Sequence, residues 1–148
     1  MKTREFLQQI ADLLRSQLPP ELQGFHTLGP VGSLIKFHYG DPRIHYEVWV
    51  QRKIGEVEVG LHFESDPTTN RQYLERVSGR LTGIHPVLGQ RVTAEQWAKT
   101  WTRAHQVLPL QALEEDFLLE IASCLAGLVR TLQPIVFQPA PCSEGAET

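Results

Sequence analysis

The stretch IHYEVWVQRKIGEVEVGLHFE, residues 44–64, decides the fold of this chain. Apolar and polar residues alternate on both sides of a short turn at residues 52–55, which is the pattern of two antiparallel strands. Successive side chains of a strand point to opposite faces, so the apolar residues share one face and the polar residues the other. We therefore expect the apolar face to join the core and any chemistry to lie on the polar face.

The pairing register of this hairpin follows from its alternation and its short turn. A slip of one residue would turn the apolar set of one strand outward, so the register is well specified. The chain alternates in the same way over residues 34–39, which adds a third strand. The predicted cross-strand pairs are Gln51 with Glu56, Trp49 with Glu58, Glu47 with Gly60, His45 with His62, His38 with His45 and Lys36 with Glu47.

Helical spacing of apolar residues predicts three helices around this meander. The N-terminal helix covers residues 3–18, with Thr3 as its N-cap. A middle helix starts at Asp66-Pro67 and carries its apolar stripe to Ile84. A long C-terminal helix covers residues 113–132, and Pro134 ends it. A short edge strand is expected near residues 25–28.

The segment around Trp97 is ambiguous between two elements. Trp97, Trp101 and His105 recur at helical spacing, and Thr93 with Gln96 resembles a capping box, so the pattern favours a helix. Residues 99–106 also fit a strand. With either element, the predicted class is α+β: an antiparallel three- to four-stranded β-meander packed on one face by N-terminal, middle and long C-terminal helices.

Length and composition place limits on the kind of protein. A chain of 148 residues predicts one domain, and we expect residues 1–137 to form it and residues 138–148 to be a disordered tail. The net charge of −3 argues against non-specific binding to nucleic acid or to an anionic membrane. Cys124 and Cys142 look unpaired, and no continuous apolar run of signal-peptide or membrane-spanning type occurs. These features predict a cytoplasmic protein.

The polar face of the predicted sheet offers one candidate metal site. The register aligns three histidines across the strands, with two glutamates beside them, and imidazole and carboxylate are ligands of zinc and similar ions. The candidate ligands are His38, His45, His62, Glu47 and Glu64. A flat row over three strands spans about 10 Å, which is too wide for one tetrahedral ion. A solvated or covered sheet face therefore remains the favoured reading, and no cofactor is predicted.

The same face offers a candidate contact surface for a partner. Trp49 lies on the polar face, where an exposed aromatic side chain is typical of an interface. Its register neighbours Leu34 and Glu58 complete the predicted partner-binding set.

Familiar catalytic motifs are missing from the sequence. The acidic residues around the hairpin lack the lysine that a restriction-type nuclease core needs. Gly-x-Ser-x-Gly, Cys-x-x-Cys, His-Glu-x-x-His and a phosphate-binding glycine loop do not occur either. We therefore assign no catalytic residue. The sequence favours a non-catalytic protein-binding or accessory domain that acts on a protein partner or as a homodimer. The alternative is a metal-dependent hydrolase or nuclease that uses the histidine and glutamate cluster.

The order of features resembles a known family. The hairpin of residues 44–64, the segment 70–81, Leu88-Gly89 and the acidic opening LEEDFLLEI at residues 113–121 are similar in pattern to an uncharacterised bacterial domain family. That family is found alone or beside restriction-type nuclease domains. The resemblance implies an α+β fold and a bacterial or phage setting, and it carries over no site residues. The order of elements is also similar to secretion-chaperone-like folds, which form small acidic dimers.

Overall fold

A computed structural model describes residues 1–137. It contains one antiparallel sheet of six strands with the order β1-β2-β3-β4-β6-β5, and four α-helices. The elements in chain order are α1 (Thr3–Gln17), β1 (His26–Val31), β2 (Leu34–His38), β3 (Ile44–Gln51), β4 (Glu56–Phe63), α2 (Pro67–Ser78), α3 (Leu81–Leu88), β5 (Thr93–Ala98), β6 (Trp101–Pro109) and α4 (Glu115–Val136). The predicted α+β class is confirmed, and the sheet is wider than the three to four strands expected.

The central strands pair in the predicted register. His45 lies opposite His62 and Trp49 opposite Glu58 between β3 and β4. His38 lies opposite His45 between β2 and β3. The predicted edge strand is also present, as β1, and it pairs with β2. The alternation of the hairpin therefore determines which side chains share a face.

The core lies on the apolar face of the sheet. Alternate residues of β3 and β4, such as Val48 and Val59, are fully buried there, and α1 and α4 pack over them. Phe6 of α1 stacks on Phe117 of α4, with 5.7 Å between ring centroids. The Tyr46 hydroxyl donates a hydrogen bond to Gln133 Oε1 across the sheet–helix boundary. The helices thus cover one face and leave the polar face for other contacts.

The predictions for the N-terminal and middle helices need correction. The middle helix is two helices, because the chain breaks at Gly79 and Arg80 between α2 and α3. Its start is correct, since Asp66 caps α2 by accepting a hydrogen bond from the Thr69 amide. Lys2 holds the N-cap position of α1, and Thr3 Oγ1 instead accepts hydrogen bonds from the Arg52 side chain.

The C-terminal helix also differs from its prediction at both ends. It begins at Glu115 and continues through Pro134 to Val136. A proline this near the C-terminus removes one backbone hydrogen bond and leaves the preceding turns intact. The helix is long and apolar enough to cross a membrane by length and composition, but side chains such as Ile121 and Leu125 are buried in the core. The predicted tail, residues 138–148, lies outside the described residues.

The segment after α3 is strand, so the favoured helix around Trp97 is wrong. β5 and β6 form a hairpin, and β6 pairs along the whole of β4, from Glu56 opposite Pro109 to Phe63 opposite Thr102. Pairing with an existing edge satisfies the backbone groups of residues 101–109, which outweighs a helical spacing of three aromatic side chains. Alternate side chains of β6 therefore lie on the polar face of the sheet.

Candidate functional site

The polar face of the sheet carries a connected group of ionisable side chains. They alternate with core residues along four neighbouring strands, so they all point away from α1 and α4. We call this group the charged network. Its members are His45 and Glu47 from β3, Glu58 and His62 from β4, Glu64 just after β4, Glu95 from β5, and Arg103 and His105 from β6.

The centre of the charged network is buried. His62 is 0% exposed, Glu58 and His45 are 1% exposed, and Glu47 is 4% exposed. Ionisable side chains are seldom buried to this degree unless they are paired, because desolvating a charge is costly. The centre of the polar face is therefore covered rather than solvated, which is the second of the two forms expected for this face.

Four residues of the network come close enough to share one ion. One ligand atom from each of His45, Glu47, His62 and Glu64 lies within 4.8 Å of the others. His45 Nε2 lies 2.9 Å from Glu47 Oε1, and His62 Nδ1 lies 3.4 Å from Glu64 Oε2. We call these four residues the quartet. It forms because each strand contributes two side chains on the same face, and the two pairs lie side by side.

His38, the fifth predicted ligand, does not join the quartet. Its register is as predicted, but its ring stacks on His26 with 5.1 Å between centroids. Its Nδ1 accepts a hydrogen bond from the Gly40 amide. Burial, followed by the charges of His26 and His45, lowers the pKa of His38. The predicted row of three histidines is therefore reduced to the pair His45 and His62.

His45 is oriented by its backbone neighbour. Its Nδ1 lies 2.9 Å from the Pro42 carbonyl oxygen, which can only accept, so Nδ1 carries the proton. The other nitrogen, Nε2, then points to Glu47. A ring nitrogen fixed in this way by a carbonyl is the usual support of a histidine that binds a metal.

Glu58 is the hub of the network. Its Oε2 lies 2.8 Å from His62 Nε2 and 3.2 Å from both Arg103 Nη1 and His105 Nδ1. Burial is the largest single influence and favours the neutral acid. The close approach of His105, the hydrogen bond from His62 and the charges of His62 and Arg103 outweigh it and lower the pKa of Glu58 to about 2. Glu58 is therefore a carboxylate that neutralises its cationic neighbours.

His62 lies at the centre and is surrounded by carboxylates. Burial is again the largest influence and lowers its pKa, but the hydrogen bond to Glu58, the Glu64 carboxylate at 3.4 Å and the charge of Glu47 together raise the pKa to about 9. Burial, the largest influence on Glu64, is outweighed in the same way, and the pKa of Glu64 is lowered, chiefly by His62. The His62 side chain is thus held as a cation among carboxylates.

Trp97 covers the network from β5. Its ring meets His62 edge to face at 5.4 Å, and the Arg103 guanidinium lies 4.8 Å from its centroid. Trp101 leans on Trp97 at 6.1 Å and is 40% exposed. Trp97 thus shields the ion pairs of the network from water.

Gly60 allows β4 and β6 to approach on this face. A Cβ placed on Gly60 would lie 2.5 Å from the Cβ of His105, closer than two such atoms can come. The glycine therefore gives His105 room beside Glu58. This is a structural reason for a glycine in the middle of a central strand.

A second surface lies where β2, β3 and β4 meet their turns. Leu34 lies opposite Trp49, as predicted, and both are half-buried. Beside Trp49 is a pocket of about 390 Å³, whose lining includes Arg52, Lys53 and Ile54. Ile54 is 61% exposed. We call the region around Leu34, Trp49 and Ile54 the Trp49 surface.

Glu58 differs from its two predicted companions. It lies next to Trp49 in the register, but its carboxylate is turned into the charged network and is 1% exposed. It is thus placed to hold the network together, and Leu34 and Trp49 remain as the accessible part of the predicted partner-binding set.

Sequence reasoning missed Glu95, Arg103 and His105. Each lies on β5 or β6, and the helical interpretation, which began at the Thr93 capping box, removed them from the sheet face. The alternation of Trp101, Arg103, His105 and Val107 was the signal that could have found Arg103 and His105. Burial raises the pKa of the Cys124 thiol to about 12, so this cysteine is not poised as a nucleophile.

Comparison with known proteins gives no match to this chain. No family model, no curated protein and no solved structure matches it. The resemblance to a bacterial domain family therefore stays a prediction, and the function has to be argued from the two surfaces above.

Proposed function

We propose that this chain is a non-catalytic binding domain that holds a partner protein at the Trp49 surface. The observation that carries the proposal is the open pocket beside Trp49, which combines an aromatic wall with exposed aliphatic and basic side chains. Buried aromatic anchors surrounded by a polar rim are typical of protein interfaces. The setting we infer is the bacterial cytoplasm.

The apolar part of this surface continues across the sheet. Val31 lies opposite Leu34, which lies opposite Trp49, so three apolar side chains form a row over β1, β2 and β3. Val31 is 77% exposed. Exposed apolar side chains that form a continuous patch mark contact surfaces more often than isolated ones do. The row is long enough to receive an extended peptide or a helix.

The charge of the rim selects the partner. Arg52 and Lys53 line the pocket, and both are exposed. A basic rim attracts a partner with acidic residues beside its apolar anchor, and it disfavours basic partners. We therefore expect a partner segment with one large apolar side chain flanked by Asp or Glu. A homodimer through the same surface is the second form of the proposal.

A peptide array tests the proposal. Peptides with a central Leu, Phe or Trp flanked by acidic residues are compared with the same peptides flanked by basic residues. We expect the acidic set to bind, and Trp49→Ala to weaken binding by about 30-fold, which corresponds to the ~2 kcal/mol of a typical anchor residue. Lys53→Glu is expected to reduce the preference for acidic flanks.

The matched control is Trp101→Ala. Trp101 is also partly exposed but lies at the opposite end of the sheet, so its loss should leave peptide binding unchanged. Light scattering of the wild type and of Trp49→Ala shows whether the surface instead joins two copies of the chain. A monomer that binds neither peptide set, or equal effects of the two tryptophan variants, contradicts the proposal.

A further inference from the structure

We propose that the quartet of His45, Glu47, His62 and Glu64 binds one divalent first-row transition ion such as Zn²⁺. The proposal is independent of the Trp49 surface. It starts from the donor atoms, since two imidazoles and two carboxylates are a set that suits such ions. His45 and Glu47 lie on β3, His62 lies on β4, and Glu64 directly follows β4, where its amide donates a hydrogen bond to the Arg43 carbonyl. The backbone of adjacent chain segments therefore holds all four donors in place.

An unpaired nitrogen points into this site. Among residues 1–137, no group forms a hydrogen bond with His62 Nδ1, although the ring is 0% exposed. The nitrogen lies 3.4 Å from Glu64 Oε2, without the geometry of a hydrogen bond. A buried polar atom without a partner is unusual in a folded protein and calls for an explanation such as an ion. An ion between Glu64 and His62 would supply the missing partner.

The hydrogen bonds that orient the two imidazoles are of the kind found at metal-binding histidines. His45 uses Nδ1 for the Pro42 carbonyl, which leaves Nε2 for an ion. His62 uses Nε2 for Glu58, which leaves Nδ1. Histidine ligands of metals nearly always hold the other ring nitrogen to a carbonyl or carboxylate in this way. Each ring therefore has one nitrogen that is fixed and one that is available.

The charge balance also favours a cation. Glu47, Glu58 and Glu64 bring three carboxylates to the site, and Arg103 is paired with both Glu58 and Glu95. A divalent ion on His62 Nδ1 would replace the proton of that nitrogen and would compensate the carboxylates of the quartet directly. Glu64 is the most exposed member, with a side chain 14% exposed, so its side of the site is the route of entry.

Binding of an ion requires the donor atoms of the quartet to move. Ligands of a tetrahedral ion at bond lengths of about 2 Å lie roughly 3.4 Å apart, so donor atoms that are up to 4.8 Å apart in the quartet have to approach by about 1.4 Å. The rings of His45 and His62 stack nearly parallel, at 9° and 5.6 Å, and one ring must turn to bring both nitrogens to the ion. Four protein ligands leave no position for a reactive water, so we expect stabilisation of the fold rather than hydrolysis.

Titration of the full chain with Zn²⁺ after treatment with a chelator tests the site. Calorimetry should show one ion per chain, and thermal unfolding should shift upward as Zn²⁺ is added. Co²⁺ should give the visible absorption of a tetrahedral site. Glu64→Gln, which changes the most exposed ligand, should weaken binding by at least 10-fold and remove the Co²⁺ absorption, and Glu47→Gln should do the same.

The control variant is His38→Ala. The stacked pair of His26 and His38 on the neighbouring strands could bind an ion at the surface, and this change removes it. We expect His38→Ala and Trp49→Ala to bind Zn²⁺ as the wild type does. Absence of binding in the wild type, binding unaffected in both glutamate variants, or binding lost in His38→Ala would overturn the proposal. None of these outcomes bears on peptide binding at Trp49.

Discussion

Replacing Glu58 by Gln is expected to destabilise the fold by about 3 kcal/mol. The change keeps the shape of the side chain and removes its charge. The cationic groups around Oε2, Arg103 at 3.2 Å and His62 at 2.8 Å, would then be left in a buried place without their shared anion. Removal of one partner from a buried ion pair costs about 3–5 kcal/mol, and the amide oxygen retains part of the hydrogen bonding, which favours the lower value.

Urea denaturation monitored by circular dichroism measures this loss of unfolding free energy. For a chain of this size, about 3 kcal/mol corresponds to a fall in Tm of roughly 6–12 °C. The matched control is Asp41→Asn, because Asp41 pairs with Arg43 at 3.0 Å with both side chains largely exposed. Such pairs contribute at most about 1 kcal/mol. If Glu58→Gln and Asp41→Asn destabilise the protein equally, the network does not hold the polar face as argued.

Three further predictions follow from the same structure. The pKa of Glu58 is lowered from 4.5 to about 2, so its contribution to stability is complete above pH 4.5 and is lost as pH falls towards 2. The stability difference between wild type and Glu58→Gln, measured by urea denaturation in metal-free protein, should therefore shrink by about 3 kcal/mol over that range. A constant difference would contradict the pairing of Glu58. Gly60→Ala should destabilise the fold by about 1–3 kcal/mol because the added Cβ would collide with His105. Gly83→Ala, in open space within α3, should be neutral or stabilise the fold by up to about 1 kcal/mol. Equal unfolding midpoints of the two variants would count against the close approach of β4 and β6 at Gly60. In a Cys142→Ala background, Cys124 should resist a thiol reagent at pH 8 until urea unfolds the protein, since burial raises its pKa to about 12; rapid labelling of the folded protein would show an accessible thiol.

The central meander is predictable from the sequence because a register error would expose a whole set of apolar side chains. The pairs of His45 with His62 and of Lys36 with Glu47 were both predicted from alternation and turn length, and both are present. The α+β class follows from the same pattern with the helical stripes on either side. These are features that local sequence specifies strongly.

The hairpin of β5 and β6 was not predictable with the same certainty. The residues Trp97 to His105 satisfy a helical and an alternating pattern, and the choice depends on an edge of β4 that is distant in sequence. Local propensity cannot include the hydrogen bonds that such an edge offers. Because Arg103 and His105 lie on β6, two of the three partners of Glu58 were missed with it.

Four of the five predicted metal ligands lie close together, but not in the predicted row. Counting histidines across three strands gave a row about 10 Å wide, and this row argued against one ion. The structure instead groups two side chains along each of two strands, and His38 lies outside the group. Side chains at i and i+2 of neighbouring strands can converge, although a row across the strands cannot.

Nuclear magnetic resonance of the histidine ring nitrogens tests the charged network most directly. The network raises the pKa of His62 to about 9, so in metal-free protein at pH 7.5 both ring nitrogens of His62 should be protonated. The signal should change only as pH rises towards 9, and Glu58→Gln should lower that midpoint. Titration of His62 near its ordinary pKa of 6.5, with no effect of Glu58→Gln, would contradict the buried network on which this account of the polar face rests.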